Sequence, residues 1–259
     1  MSKNKAISEA AHLRRAAILE ERGDYDKAIA SMMKALSAQS NNPESWSRLG
    51  DLYRSLEQWD LAVDAYKKSL ELRTDNHTAQ EALLQTYLEA GRYDDAIANS
   101  KLVLKRHAKN VYARDIMGVA YLQTGMIDEA IRVTDELIRL EPTDATNHFK
   151  KAVLLQQKGE VGMAVREFTR VLEMAPESGI ADQAGQAVST LESFQLRQIV
   201  SLAAEDNIFR TKLARDPESA AFEKGFFLSY TGLNALRQIS FDTLPESGAD
   251  SPQKYYHYH

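Results

Sequence analysis

The sequence predicts an all-α solenoid, and three observations predict it: a fixed 34-residue period, a small residue recurring at one position of that period, and glycine punctuating the same turn. GDYDKAIASMMKAL (23–36), EQWDLAVDAYKKSL (57–70), GRYDDAIANSKLVL (91–104), GMIDEAIRVTDELI (125–138) and GEVGMAVREFTRVL (159–172) each start 34 residues after the one before. Residues 9–178 thus divide into five repeats without insertion or deletion, after an N-terminal extension over 1–8.

Each recurring position has a physical reason. Ala28, Ala62, Ala96, Ala130 and Ala164 stand where the second helix of a pair must approach the first closely. Leu19, Tyr53, Tyr87, Tyr121 and Leu155 are large enough to fill the gap between a helix and its neighbour. Gly23, Gly91, Gly125 and Gly159 mark the turn after each first helix, where positive φ is favoured. Pro142 and Pro176 end second helices, because proline cannot continue them.

These positions resemble the tetratricopeptide repeat over about two thirds of the chain. Trp46, Leu49, Gly50, Tyr53, Ala62 and Tyr66 match that family's pattern in repeat two. Repeat one departs at Ala16, where glycine is frequent, and repeat five at Lys151, where an apolar residue is usual. For Lys151 the expectation is a packed stem with its ammonium in water. The resemblance implies a right-handed superhelix of helix pairs whose groove, lined by the first helices, binds a protein or peptide partner.

The family's groove positions carried over here include Asp51 and Arg54 in repeat two, and Glu81, Gln85 and Glu89 in repeat three. Tyr112, Asp115, Val119 and Leu122 follow in repeat four, and Phe149 and Val153 in repeat five. Acidic residues dominate one half and apolar residues the other. That pattern suits a segment with apolar anchors and positive charge. The lysine and asparagines with which some members grip a chaperone's terminal carboxylate are replaced by Ser47, Asp51, Glu81 and Gln85. A competing reading has the apolar groove residues packing against the chain's own C-terminal helices.

Composition narrows the function classes. With 32 basic and 37 acidic residues the net charge is −5, which recruits no nucleic acid by bulk electrostatics. No cysteine is present, so disulfides, thiolate nucleophiles and Cys-based zinc sites are excluded. Neither a signal peptide nor an 18-residue apolar run occurs, so no membrane insertion and a cytoplasmic location are expected. His12, His77, His107 and His148 are spread along the repeats with no shared motif, and no nucleophile elbow, phosphate-binding glycine loop or metal-spaced histidine pair stands in the folded part. The expectation is a non-enzyme without cofactor or metal. Pairing through terminal helices would make a homo-oligomer. Lys101, Lys105, Arg106, His107 and Lys109 cluster at one helix C-terminus, where positive charge complements the dipole.

After the repeats, residues 179–205 read as one capping helix, with Ala187, Leu191, Phe194, Ile199 and Leu202 as its apolar stripe. Residues 206–240 read as a three-helix module: Asp206 caps a first helix with Phe209 and Leu213, Asp216-Pro217 starts a second that ends at Gly225, and Ser229 or Thr231 caps a third with Leu233, Leu236 and Ile239. The arrangement F-x-x-x-L-x-x-D-P-E followed by L-S-x-x-x-L resembles segments in small helical subunits of ring-opening dioxygenases and leader regions of ribosomally made, modified peptides. Residues 241–259 read as an extended aromatic tail ending in Tyr255, Tyr256, His257, Tyr258 and His259. Four roles are open for it: folding back on the repeats, docking on a partner, weak metal binding, or serving as substrate of a peptide-modifying enzyme.

Overall fold

The structure, a computed structural model, describes residues 2–38 and 41–243, with side chains from residue 9 onward. Among the described residues there are fourteen α-helices, one 3₁₀ turn and no strand. Five helix pairs come first: α1 (Ser2–Glu21) with α2 (Tyr25–Ala38), α3 (Pro43–Ser55) with α4 (Trp59–Leu72), α5 (His77–Glu89) with α6 (Tyr93–Arg106), α7 (Val111–Gln123) with α8 (Ile127–Leu140), and α9 (Ala145–Lys158) with α10 (Val161–Met174). Then follow α11 (Gly179–Glu205), α12 (Asn207–Arg215), α13 (Pro217–Glu223), α14 (Tyr230–Arg237) and the 3₁₀ turn Phe241–Thr243.

Local chemistry fixes where each pair starts and turns. Asn42, Asn76 and Asn110 cap α3, α5 and α7, their side-chain oxygens accepting from the N–H groups of Ser45, Ala79 and Ala113 at 3.2, 3.3 and 2.7 Å. Asp144 and Ser178 continue the series at α9 and α11, so the cap recurs on the same period as the core. At the turn between paired helices Gly23, Gly91, Gly125 and Gly159 have φ of 76, 68, 74 and 85°. Repeat two puts Glu57 there, also left-handed, at φ 56°. The five alanines Ala28, Ala62, Ala96, Ala130 and Ala164 are all fully buried. Gly50 shows how tight the fit is: a Cβ there would lie 2.7 Å from the ring of Tyr66, itself fully buried.

The chain divides within α8 into two compact units, one ending at Val133 and the other beginning at Thr134. The first has a core of Ala16, Ala28, Met32, Leu36, Leu49, Leu52 and Ala65, against which Leu19, Trp46 and Tyr53 pack. The second contains a core of Ile199, Ala203, Phe209, Leu213, Leu228, Leu236 and Phe241. Of the apolar members of the module's motif, Phe209, Leu213 and Leu228 lie in this one core with α11, and Leu233 packs against it partly buried. Phe241, read from sequence as the first residue of the tail, is buried in the same core.

Two expectations for α11 change. Phe194, placed in its apolar stripe, is 42% exposed, whereas Glu192 and Gln195 are buried. The reason is backbone satisfaction. Gln195 donates to the carbonyl of Phe227 at 2.8 Å and accepts from its N–H at 3.0 Å, while Glu192 accepts from the Ser229 N–H. Both groups satisfy amides of a half-buried loop. The approach is close enough that a Cβ on Gly232 would fall 2.6 Å from Glu192 Oε1. The segment 225–232 is thereby tied to α11. Ser229, not Thr231, caps α14.

Candidate functional site

In the first unit, α3, α5 and α7 hold eight of the sequence-predicted site residues. Asp51 is on α3; Glu81, Gln85 and Glu89 are on α5; Tyr112, Asp115, Val119 and Leu122 are on α7. The i, i+4, i+8 spacing of Glu81, Gln85 and Glu89 puts them on one helix face. Hydrogen bonds and one ion pair then join the three helices. The Tyr112 hydroxyl donates to Gln85 Oε1 at 3.2 Å, Gln85 Nε2 donates to Glu89 Oε1 at 3.1 Å, and the Arg54 guanidinium lies 3.5 Å from that same oxygen. Arg54 therefore belongs to the site as the cation that links α3 to α5.

Not every predicted acid is equally available. Asp51 Oδ1 accepts from the buried Tyr66 hydroxyl at 2.7 Å, so part of its charge is spent on the core. Burial pushes the Tyr66 phenol far above its ordinary range, and the Asp51 hydrogen bond and charge push it further. Burial also raises Tyr112, aided by the negative charge of Glu81, so both phenols stay protonated as donors. The Glu81 carboxylate is exposed and makes no hydrogen bond or ion pair. Val119 is 37% exposed and Leu122 half-buried, giving α7 an apolar strip beside the acids.

Phe149 and Val153 belong to the second unit, both half-buried on α9. Phe149 packs edge-on against buried Phe168 at 5.5 Å between centroids. On the same helix, Lys151 departs from expectation. Its ammonium does not reach out to water but sits 2.8 Å from Asp135 and 3.2 Å from Glu167. His148 Nδ1 lies 2.8 Å from the other oxygen of Glu167. Burial alone would raise the Glu167 carboxyl; the His148 hydrogen bond and the Lys151 charge outweigh it and hold the pKa below its ordinary value. Burial likewise opposes the charged form of Lys151, and Asp135 and Glu167 overcome it. The readable signal was Lys151 at a position that holds Leu49, Leu83 and Met117 in repeats two to four, with His148 one turn away.

The basic cluster on α6 is partly committed: Lys101 stands over the Tyr121 ring at 5.6 Å, and His107 meets His77 edge-on at 5.5 Å. Among the described residues no group of three or more His, Cys, Asp or Glu could hold a metal ion. Nor is any described helix long and apolar enough to cross a membrane. The aromatic residues 255–259 lie outside the described residues.

Comparison with known proteins adds the family. Tetratricopeptide-repeat profiles match residues 8–75, 47–110 and 87–154. Among solved structures, MamA (residues 41 to the end) from Desulfovibrio magneticus RS-1 superposes with a TM-score of 0.57 at 19% identity, covering 66% of this chain and 97% of its own. A second MamA structure gives 0.58 at 23% identity, covering 66% and 93%. YrrB, described as a TPR protein with an unusual peptide-binding site, gives 0.53 at 19% identity, covering 68% and 90%. At these identities the likeness shows the fold. No curated protein matches the chain.

Proposed function

Because the chain belongs to the tetratricopeptide-repeat family, we propose that it is a non-catalytic adaptor that binds a segment of a partner protein on the α3–α5–α7 face. The observation that carries this reading is the exposed Glu81 carboxylate, free of any internal partner, between the Arg54–Glu89–Gln85–Tyr112 network and the apolar strip of Val119 and Leu122. A structural surface has no need to hold a polar network across three helices and leave an acid beside it unpaired. The favoured partner segment offers a lysine or arginine to Glu81, Glu89 and Asp115, and apolar side chains to Val119 and Leu122. Phe149 and Val153, on α9 of the second unit, are proposed separately as apolar anchors for a partner. The peptide-binding site in the description of YrrB supports the class of ligand.

The test is site-specific photo-crosslinking in the native host. A photoreactive residue replacing Glu81 or Leu122 should capture a partner through a Lys- or Arg-containing segment, and Glu81→Lys with Glu89→Lys should abolish that capture. Equal capture from Lys105, in the last turn of α6, would sink the assignment.

A second reading is favoured by one observation: the α12–α14 module folds onto α11 through Gln195 and Glu192, immediately ahead of residues 244–259. In it the folded part is a carrier, and Tyr255–His259 are the substrate of a peptide-modifying enzyme. Intact mass and fragmentation of protein from the native host decide it. A loss of hydrogen mass confined to that segment establishes the carrier; an unmodified tail removes the reason to prefer it.

A further inference from the structure

A second surface of the first unit is more apolar than its fold requires. Residues of α2, α3 and α4 enclose an open cleft of about 540 Å³, lined by Met33, Trp46, Leu49, Tyr53, Leu61 and Asp64 among others. Met33 and Leu61 are 54% and 47% exposed. The repeat provides its own control. One period later the corresponding cleft keeps Leu70 and Leu83, but its other lining residues are polar, among them Lys67, Glu71, Gln80, Asn99 and Arg106. Met33 is succeeded by Lys67, Lys101 and Asp135, Trp46 by Gln80, Arg114 and His148, and Leu61 by Asp95 and Glu129. Solvent-facing positions that hold charges in the neighbouring repeats hold a thioether and a leucine here, while repeat five has Thr169 and the exposed Met163 at them; packing alone does not explain the pair Met33 and Leu61 in one cleft.

The polar atoms at the cleft are unequally committed. Lys68 pairs with Glu71 at 2.7 Å, and Ser37 donates to the Lys34 carbonyl at 2.8 Å. The Tyr53 hydroxyl has only the Met33 sulfur at 3.9 Å, a weak acceptor. Asp64 is exposed and makes no hydrogen bond or ion pair. An apolar floor with one unpaired carboxylate at its edge is complementary to a large apolar side chain with a cation beside it. Met33 can adjust its three torsions to such a guest, and its movement frees the Tyr53 hydroxyl for a backbone carbonyl.

We propose that this cleft is a second docking site, distinct from the α3–α5–α7 face, for a partner-protein segment presenting one large apolar side chain next to a lysine or arginine. The apolar side chain covers Trp46, Leu49 and Leu61, and the basic one pairs with Asp64.

The full chain with ¹³C-methyl methionine tests it, the Met33 signal being assigned by Met33→Leu. The probe is the synthetic peptide acetyl-Gly-Ser-Lys-Phe-Ser-Gly-amide. The expected result is a saturable shift of the Met33 methyl, weakened about two- to fivefold when Glu replaces the peptide's Lys, as suits one exposed ion pair. Serine in place of its Phe should remove the shift. Leu61→Asp, the residue type one period later, should abolish binding; Asp64→Asn should erase the Lys-over-Glu preference; Glu81→Lys should change neither. Leu61 and Asp64 are exposed, and unchanged thermal unfolding of both variants verifies their fold. An unmoved Met33 methyl, no preference for Lys over Glu, or full binding by Leu61→Asp overturns the proposal. Tighter binding of a peptide copying residues 251–259 would also overturn it, by making the occupant this chain rather than a partner.

Discussion

The same four positions of the 34-residue frame are filled with opposite chemistry in the two units. Met33, Trp46, Leu49 and Ala65 line an apolar cleft in the first; three periods later the chain places Asp135, His148, Lys151 and Glu167, which form a half-buried ionic cluster in the second. The backbone frame is common to both, so what a junction between repeats demands is satisfaction rather than apolarity. An apolar junction is met by volume and fails when a charge enters. An ionic junction is met by partners and fails when any one leaves.

The largest expected effect is the exchange in one direction. Leu49 is 3% exposed, and Leu49→Lys would bury an ammonium where Met33 and Ala65 stand in place of the two carboxylates that receive Lys151. We expect a loss of about 4 kcal/mol or more, seen as collapse of hydrogen-exchange protection in peptides of α2 to α4. The reverse exchange, Lys151→Leu, should cost about 3 kcal/mol. Less is lost because Glu167 keeps His148 and because Asp135 is 41% exposed and can turn to water. Protection of α9 and α10 is the readout. An indifferent Lys151→Leu would mean that the cluster contributes specificity and no stability.

Acid sharpens the contrast without mutation. The folded-state pKa of Glu167 lies below its ordinary 4.5, so its contribution is fully present above that value and is lost as pH falls through the folded pKa. From about pH 4.5 downward, α9 and α10 should lose protection, and Glu167→Gln should flatten that dependence while lowering stability at neutral pH. The cleft formed by Met33, Trp46, Leu49 and Ala65 has no titratable group among these four positions, so Leu49 and Ala65 should keep their packing through the same interval. Equal acid sensitivity at the two junctions would refute the comparison.

The frame was legible in the sequence because it is written in volumes and turns. Alanine at the close approach and glycine at positive φ are constraints that few other residues meet, so five copies of the one and four of the other reveal them. The binding face was legible to the same extent: once the register is set, Glu81, Gln85 and Glu89 must share a side of α5. What could not be read is which partner each polar group finds. Asp51 and Glu81 look alike in sequence, yet the Asp51 carboxylate receives the Tyr66 hydroxyl and the Glu81 carboxylate receives no hydrogen bond. Lys151 read as a stem with a solvated head because its carboxylates come from α8 and α10, 16 residues away in each direction. Phe194 and Gln195 were exchanged for a related reason. Hydrophobicity ranks side chains by their own transfer to oil, whereas Gln195 is buried for the amide it satisfies at Phe227.

The smallest effect extends the comparison to the turn. Glu57 and Gly159 occupy the same frame position in the two units, at φ 56 and 85° respectively. No heavy atom lies within 4 Å of where a Cβ on Gly159 would stand, so space does not decide between the residues. The left-handed backbone does: a Cβ there approaches the following carbonyl at a cost of about 1–2 kcal/mol, partly offset by the greater freedom glycine loses on folding. Glu57→Gly should therefore stabilise the first unit by about 0.5–1 kcal/mol, and Gly159→Glu should destabilise the second by a similar amount. Measured together by denaturant unfolding, the two changes carry opposite signs on one backbone geometry. If Glu57→Gly is instead destabilising, the glutamate side chain contributes something at that turn that its conformation alone does not reveal, and the two turns are not equivalent.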